Sequence, residues 1–153
     1  MPARTVSPAT TAASPSPIPD HTYDAEPVAV AVAFTTALGE RSYLDISPTA
    51  WLDRAAPYMT LRLSAQLREQ AADNGAVADW NALRAAHARI SVRVDAATAG
   101  TPRTTDSMVV TLTAHYLTTT PGGGRQVSQE QVALVVLRGG GRWLVDRTSQ
   151  DEP

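Results

Sequence analysis

Two hydrophobic patterns divide the chain near His87. Before this residue, apolar side chains recur at every third or fourth position, which is the spacing of a helix that buries one face. After it, apolar and polar residues alternate, as they do in a strand with one face in a core. Helices and strands that occupy separate parts of one chain predict an α+β domain.

Three helices are predicted in the first part. The first begins at Asp24, a suitable capping residue, and ends at Gly39, which we expect in a left-handed conformation. A short second helix follows Ser47–Pro48, and a third begins at Thr60. Because the first helix is apolar around nearly its whole circumference and rich in alanine, we expect it to be buried closely against a sheet. The segment 76–83 fits either a helical turn or a loop.

Four strands are predicted in the second part, over residues 89–96, 108–118, 126–137 and 142–147. Glycine-rich turns and the absence of an intervening helix favour an antiparallel meander. With the right-handed twist of strands, this sheet should curve around the first helix, and we expect side chains to fill the hollow. The predicted fold class is α+β, with N-terminal helices packed on a curved four-stranded antiparallel sheet.

The two ends of the chain differ from the rest in composition. Residues 1–23 are almost entirely Pro, Ser, Thr and Ala, and they hold too little apolar surface to offset the entropy of ordering. We therefore expect a disordered tether over 1–23, a single domain over 24–149 and a disordered tail over 150–153. A tether implies an attachment, so we infer a membrane anchor before Met1. A naturally ragged terminus is the alternative.

Charge and composition exclude several functions. A net charge of −2 over 153 residues leaves no positive surplus for phosphates, so we expect no direct nucleic-acid partner. The chain has no cysteine, which excludes disulfides and thiolate chemistry. All 13 basic residues are arginine, which indicates a high-GC genome. No apolar stretch reaches the roughly 18 residues of a membrane-spanning helix.

Candidate catalytic residues are few. A proton-transferring isomerase would need a carboxylate inside a deep apolar pocket, with a tyrosine or protonated acid opposite it. Asp53 and Asp146 adjoin Arg54 and Arg147, which favours surface ion pairs. No catalytic residue is assigned. The candidates considered are Asp45, Asp53, Tyr58, Tyr116 and Asp146.

Metal and cofactor sites are not predicted. The three histidines, His21, His87 and His115, lack the spacing of a metal motif, although His87 and His115 could meet across neighbouring strands. The glycine runs lack the lysine and the following helix of a phosphate-binding loop, and hairpin turns explain them better.

Candidate interaction residues lie in two places. Two aromatic side chains occur near proline-bounded helix ends, where they either anchor a partner or belong to the core. Polar residues on one side of the strands form a flat surface suited to a protein partner, or simply face solvent. The candidates are Trp51, Tyr58, Arg89, Arg93, Thr111 and Thr113.

The order of elements and the sequence Gly-Arg-Trp-Leu-Val at 141–145 resemble the cone-shaped nuclear transport factor two-like superfamily. Together with Phe34, Tyr43 and Trp51, they are similar to extracytoplasmic domains of conjugative-transfer and type IV secretion scaffold proteins of high-GC Gram-positive bacteria. The resemblance covers residues 24–149. In those proteins one membrane helix and a Pro/Ser/Thr-rich tether precede the domain, as residues 1–23 would here.

The resemblance implies a non-catalytic scaffold domain at the extracytoplasmic face of the cell membrane. Its partners would be other subunits of a membrane complex and possible further copies of itself. Two alternatives share the fold: a small-ligand-binding or isomerase-like domain, and an accessory protein of a lipid-import complex. An open mouth containing an unpaired acid would favour the first alternative.

Overall fold

The computed structural model describes residues 19–100 and 105–148, without the side chains of residues 19–25 and 96. Residues 1–18 of the predicted tether and the whole predicted tail lie outside the described residues. The first helix begins at Pro19, five residues before the predicted cap Asp24.

The helices occupy the first half of the chain, as predicted. Residues 76–83, for which a helical turn and a loop were both considered, lie in a helix. This helix starts after Gly75, whose backbone has the left-handed conformation. Thr60 caps the third helix, because its hydroxyl accepts a hydrogen bond from the Leu63 amide at 3.2 Å. The helices are α1 (Pro19–Gly39), α2 (Ala50–Ala55), a 3₁₀ turn (Ala56–Tyr58), α3 (Leu61–Asp73) and α4 (Ala76–Ala86).

The strands form one antiparallel sheet in which each strand pairs with its neighbours in sequence. The four predicted strands are all present. A two-residue strand at the edge was not predicted, because two residues are too few to show an alternating pattern. The strands are β1 (Arg41–Ser42), β2 (Arg89–Ala99), β3 (Ser107–Thr119), β4 (Arg125–Gly139) and β5 (Arg142–Thr148).

The core lies between α1 and the inner face of the sheet, which we define as the face carrying Val110, Leu112 and Ala114. These three side chains are fully buried, and Phe34 of α1 packs in the same cluster. The helix α1 contacts all four long strands, as expected for a helix in the hollow of a curved sheet. Apolar alternation along β3 therefore determines which face of the sheet is covered.

The helix α1 is less buried than predicted. Its buried residues follow a single stripe, Pro27, Ala31, Phe34 and Thr35, and most of the other side chains are half-buried. The prediction of a helix buried on most of its surface was wrong. The apolar side chains outside the stripe lie along the edges of the contact between α1 and the sheet, where the sheet covers them only in part.

Gly39 ends α1 for a different reason from the one predicted. It does not have a positive φ; within the described chain the glycines that do are Gly75, Gly123, Gly140 and Gly141. A Cβ atom at position 39 would lie 2.7 Å from Val92 Cγ2 and 2.9 Å from Tyr116 Cε1. Glycine is required here by the close approach of the helix to the sheet.

Replacing Gly39 by alanine should therefore destabilise the domain. Helix propensity favours alanine by about 1 kcal/mol, but overpacking against a β-branched residue and an aromatic ring costs about 1–3 kcal/mol. We expect a net loss of about 1 kcal/mol in the free energy of unfolding, measured by urea denaturation. Adding Val92→Ala should relieve part of the loss. Gly122→Ala is the control, since no atom lies within 4 Å of its Cβ position; a more stable Gly39→Ala protein would contradict the argument.

Candidate functional site

The mouth of the cone contains an open cavity between α1, α3 and the inner face of the sheet. Its volume is about 590 Å³. The floor is apolar and buried, and it is formed by Phe34, Leu63, Leu134 and Val145. The expectation of a filled hollow was wrong for this end of the cone.

The cavity stays open because of the residues that face it. Towards the mouth, α3 presents Gln66 and Gln70, and the strands present Thr118 and Ser128. These side chains are polar or small, so they do not form a packed apolar layer. The other end of the hollow carries Met108, Val110 and Leu112 and is buried.

A tyrosine and a glutamate face each other on the wall of the cavity. The Tyr116 hydroxyl donates a hydrogen bond to Glu130 Oε1 at 3.1 Å. Burial, together with the charge and the hydrogen bond of Glu130, raises the pKa of Tyr116 to about 12. Tyr116 therefore stays protonated at neutral pH and acts as the donor of this pair.

The geometry of this pair does not match a proton-transferring catalyst. Glu130 is an exposed residue near the mouth. A carboxylate acting as a general base near neutral pH is normally desolvated, so that its pKa rises. Tyr116, one of the sequence candidates, lines the cavity, whereas Asp45, Asp53, Tyr58 and Asp146 do not.

The aspartates named as candidates are held in ion pairs. Asp45 accepts from Arg54 at 2.9 Å, and Asp53 accepts from Arg68, not from its neighbour Arg54, at 2.9 Å. The Asp53 side chain is 69% exposed, so this pair lies at the surface as predicted.

Asp146 is buried, contrary to the predicted surface pair. Its side chain is 8% exposed and accepts hydrogen bonds from Thr60 at 3.0 Å, from Arg62 at 3.1 Å and from Arg147 at 2.7 Å. Burial alone would raise the pKa of Asp146, but the hydrogen bonds from Arg62, Thr60 and Arg147 outweigh it and hold the pKa below its usual value. The prediction failed because two of these partners come from α3 and its cap. This cluster fastens β5 to the start of α3.

The two aromatic interaction candidates have structural contacts. The Trp51 indole N–H donates to the Pro48 carbonyl at 2.9 Å, and the Arg41 guanidinium lies 4.0 Å from the centroid of its ring. Trp51 and Tyr58 are both half-buried and pack against the core. Part of each side chain is accessible to a partner.

The four strand candidates share the outer face of the sheet, opposite the helices. On this face Arg93 lies opposite His115, and the paired residues of β2, β3 and β4 form cross-strand rows. The side chains of Arg89, Arg93 and Thr111 are exposed and that of Thr113 is half-buried. The prediction that these positions face away from the core is correct.

The outer face combines positive charge with a small apolar centre. Leu117 lies opposite Val127, whose side chain is 69% exposed. Arg89 and Arg125 both lie opposite Thr119 in the adjacent row. Among the described residues, the carboxylate aligned with these rows is that of Asp95, which pairs with Arg93 at 3.3 Å and with His115 at 3.1 Å. We call the surface formed by Arg89, Arg93, Thr111, Thr113, Leu117, Arg125 and Val127 the outer strip.

His87 and His115, which could have met across neighbouring strands, lie apart. His87 ends α4 and stacks edge-on against Tyr43 at 5.1 Å, whereas His115 lies opposite Arg93 in the middle of the sheet. In the part of the chain that the structure describes, no three potential ligands group together as a metal site.

Across residues 19–100 and 105–148, no helix has the length and apolar character to cross a bilayer.

The comparisons with known proteins give structural matches alone. No protein-family model matches the chain, and no curated protein matches it. Its fold is shared with type IV secretion proteins. An IcmL-like type IV secretion system protein from Legionella pneumophila is similar with a TM-score of 0.65 and 10% identity, over 82% of this chain and 89% of that one. CagV, a VirB8 homologue of the type IV secretion system of Helicobacter pylori, is similar with a TM-score of 0.58 and 12% identity, over 82% and 96%.

These similarities confirm the predicted fold class. The chain has the VirB8-like form of the nuclear transport factor two-like fold, with N-terminal helices and a curled antiparallel sheet. At these identities the similarity establishes the fold, and function has to be argued from the surfaces.

Glu130 was missed in the sequence, although a signal for it exists. Tyr116 belongs to the apolar face of β3, and Ser128, Glu130 and Val132 form one face of β4 by alternation. Only the register, in which Glu130 lies opposite Ala114, brings the glutamate next to Tyr116. That register depends on the turn at Gly122–Gly124, whose length cannot be read from the pattern of the strands.

Proposed function

We propose that this domain is a non-catalytic assembly module of a conjugative-transfer or type IV secretion-like membrane complex. The observation that carries the proposal is the VirB8-like fold, which two type IV secretion proteins share over 82% of this chain. The exposure of Glu130 supports a non-catalytic role, because this carboxylate lacks the desolvation that a general base needs.

The domain acts through protein contacts on the outer strip. Its residues stand on three paired strands, and its arginines flank the half-buried Leu117 and the exposed Val127. Arginine and apolar contacts are typical of interface centres, and the polar threonines suit the rim. The accessible edges of Trp51 and Tyr58 provide a second, smaller contact. The partners are other subunits of the complex and further copies of this chain.

The domain works at the extracytoplasmic face of the cell membrane, held there by an anchor through the Pro-rich segment 1–18. The composition of that segment and the all-arginine basic residues support a tethered protein from a high-GC Gram-positive bacterium. Protease treatment of intact, wall-stripped cells tests the location: the domain should be digested while a cytoplasmic marker survives, and its protection would contradict the proposal.

Charge reversal of the outer strip tests the proposed surface. In the source bacterium, Arg89→Glu with Arg93→Glu should lower the amount of co-purifying membrane-complex subunits by about tenfold, because close like charges oppose docking. The thermal midpoint should change little, since both side chains are exposed. Measurements are affinity purification from solubilised membranes and the frequency of conjugative transfer.

A matched control carries the same change in charge elsewhere. Arg68→Glu with Arg84→Glu reverses two exposed arginines on α3 and α4. This control should retain the co-purifying subunits. Equal losses in both variants would reject the outer strip as the contact surface, and normal complex assembly after deletion of the gene would reject the assembly role itself.

A further inference from the structure

The cavity at the mouth of the cone has a size typical of a small-molecule site. Its volume of about 590 Å³ falls within the range of roughly 300–1,000 Å³ of such sites. The lining changes with depth: Leu63, Leu134 and Val145 are buried at the floor, Tyr116 is half-buried on the wall, and Glu130 is exposed near the mouth. A ligand that fills the cavity would therefore meet an apolar floor and a carboxylate at the opening.

The charged groups around the cavity are not equivalent. Arg147 pairs with Asp146 at 2.7 Å. Arg41 donates to the Leu38 carbonyl at 3.2 Å and lies over Trp51. Arg147 is thus paired with a carboxylate, whereas the contacts of Arg41 are a carbonyl oxygen and an aromatic ring.

Glu130 has no cationic partner among the described residues. Tyr116 donates to one of its oxygens, and no arginine of the described chain forms an ion pair with it. The residue opposite Glu130 in the strand register is Ala114, which is buried in the core. The mouth of the cavity therefore presents a carboxylate that Tyr116 holds in place and that forms no ion pair with a described arginine, although Arg41 lines the same cavity.

We propose that this cavity binds small amphipathic cations, with the apolar body on the floor and a protonated amine paired with Glu130. Tyr116 positions the Glu130 carboxylate, and the buried side chains exclude water from the apolar body of the ligand. A carboxylate head group placed beside Glu130 would be repelled by it. An open mouth with an acid that forms no ion pair is the feature expected of the small-ligand alternative, so this site goes beyond the assembly role, and neither proposal depends on the other.

Three probes that share one apolar body test the proposal. 4-Phenylbutylamine, 4-phenylbutanol and 5-phenylvalerate share the phenylbutyl body and carry a cationic, a neutral and an anionic head group at pH 7. Titration of the full chain, followed by NMR amide shifts, should show the amine binding about tenfold more tightly than the acid, with the alcohol in between. The shifts should centre on Tyr116, Glu130 and Leu67, and 1 M salt should reduce the advantage of the amine.

Two variants separate the head-group contact from the apolar floor. Glu130→Gln should abolish the difference between amine and alcohol, while Glu69→Gln, an exposed acid on α3 outside the cavity lining, should retain it. Leu67→Trp, which fills the cavity, should weaken all three probes. The proposal is overturned if the acid binds as tightly as the amine, or if Glu130→Gln leaves the order of the three affinities unchanged. It is also overturned if no probe binds with a dissociation constant below about 10 mM.

Discussion

Replacing Asp146 by alanine is expected to lower the free energy of unfolding by about 2–3 kcal/mol. The carboxylate is buried and accepts hydrogen bonds from Thr60, Arg62 and Arg147. Its removal leaves the Thr60 hydroxyl and two guanidinium groups without their acceptor. This loss is smaller than the largest losses seen when a buried ion pair is broken, because the Arg62 side chain is 55% exposed and water can hydrate it. Urea denaturation followed by circular dichroism measures the change.

The same carboxylate should make stability depend on pH. Since its pKa is lowered in the folded state, the unfolded state binds more protons as the pH falls below the unfolded value of about 3.9. The stabilisation is present in full well above that value and is lost as the pH falls through the folded pKa. The difference in stability between the natural protein and Asp146→Asn should therefore be constant above about pH 5 and shrink below about pH 4.

An exposed aspartate provides the control for this experiment. Asp53 also pairs with one arginine, but at the surface, so Asp53→Ala should cost less than about 1 kcal/mol. Equal losses at the two positions would show that the buried cluster contributes no more than a surface pair. A pH profile of Asp146→Asn parallel to that of the natural protein would contradict the lowered pKa.

The contrast between Asp53 and Asp146 shows what the sequence can predict. Each has an arginine next to it, and local sequence therefore treats them alike. Arg62, which lies 84 residues before Asp146, distinguishes them in the structure. Burial of a polar side chain depends on such long-range partners, and periodicity carries no information about them.

Alternation along β3 and the cap at Thr60 could be predicted because each depends on a few neighbouring residues. Gly39 was assigned to the right position for the wrong reason, since Val92 and Tyr116 approach it from distant strands. The Tyr116–Glu130 pair depends on strand register in the same way. Local elements were therefore predictable, whereas the cavity and its charges required the tertiary arrangement.

Trp143 should be the most sensitive aromatic position in the domain. It is 6% exposed and belongs to the main core, and Arg138 lies 5.5 Å from the centroid of its ring. Trp143→Ala removes most of a large buried side chain and should cost about 3–5 kcal/mol, a large share of the roughly 5–15 kcal/mol of an ordinary domain. If this variant does not fold, Trp143→Phe keeps an aromatic ring and should cost about 1–2 kcal/mol.

Trp80 offers a comparison within the same chain. Its ring is half-buried on α4, and its indole N–H donates to the Asp45 carbonyl at 3.1 Å. Trp80→Ala should cost about 1–2 kcal/mol, because less apolar surface becomes exposed and one hydrogen bond is lost. Both variants are measured by urea denaturation. An equal dependence of the unfolding free energy on urea concentration would confirm that their unfolded states are alike. Since β5 is an edge strand that contacts α1, a larger loss at Trp80 than at Trp143 would mean that α4 contributes more to stability than the last strand.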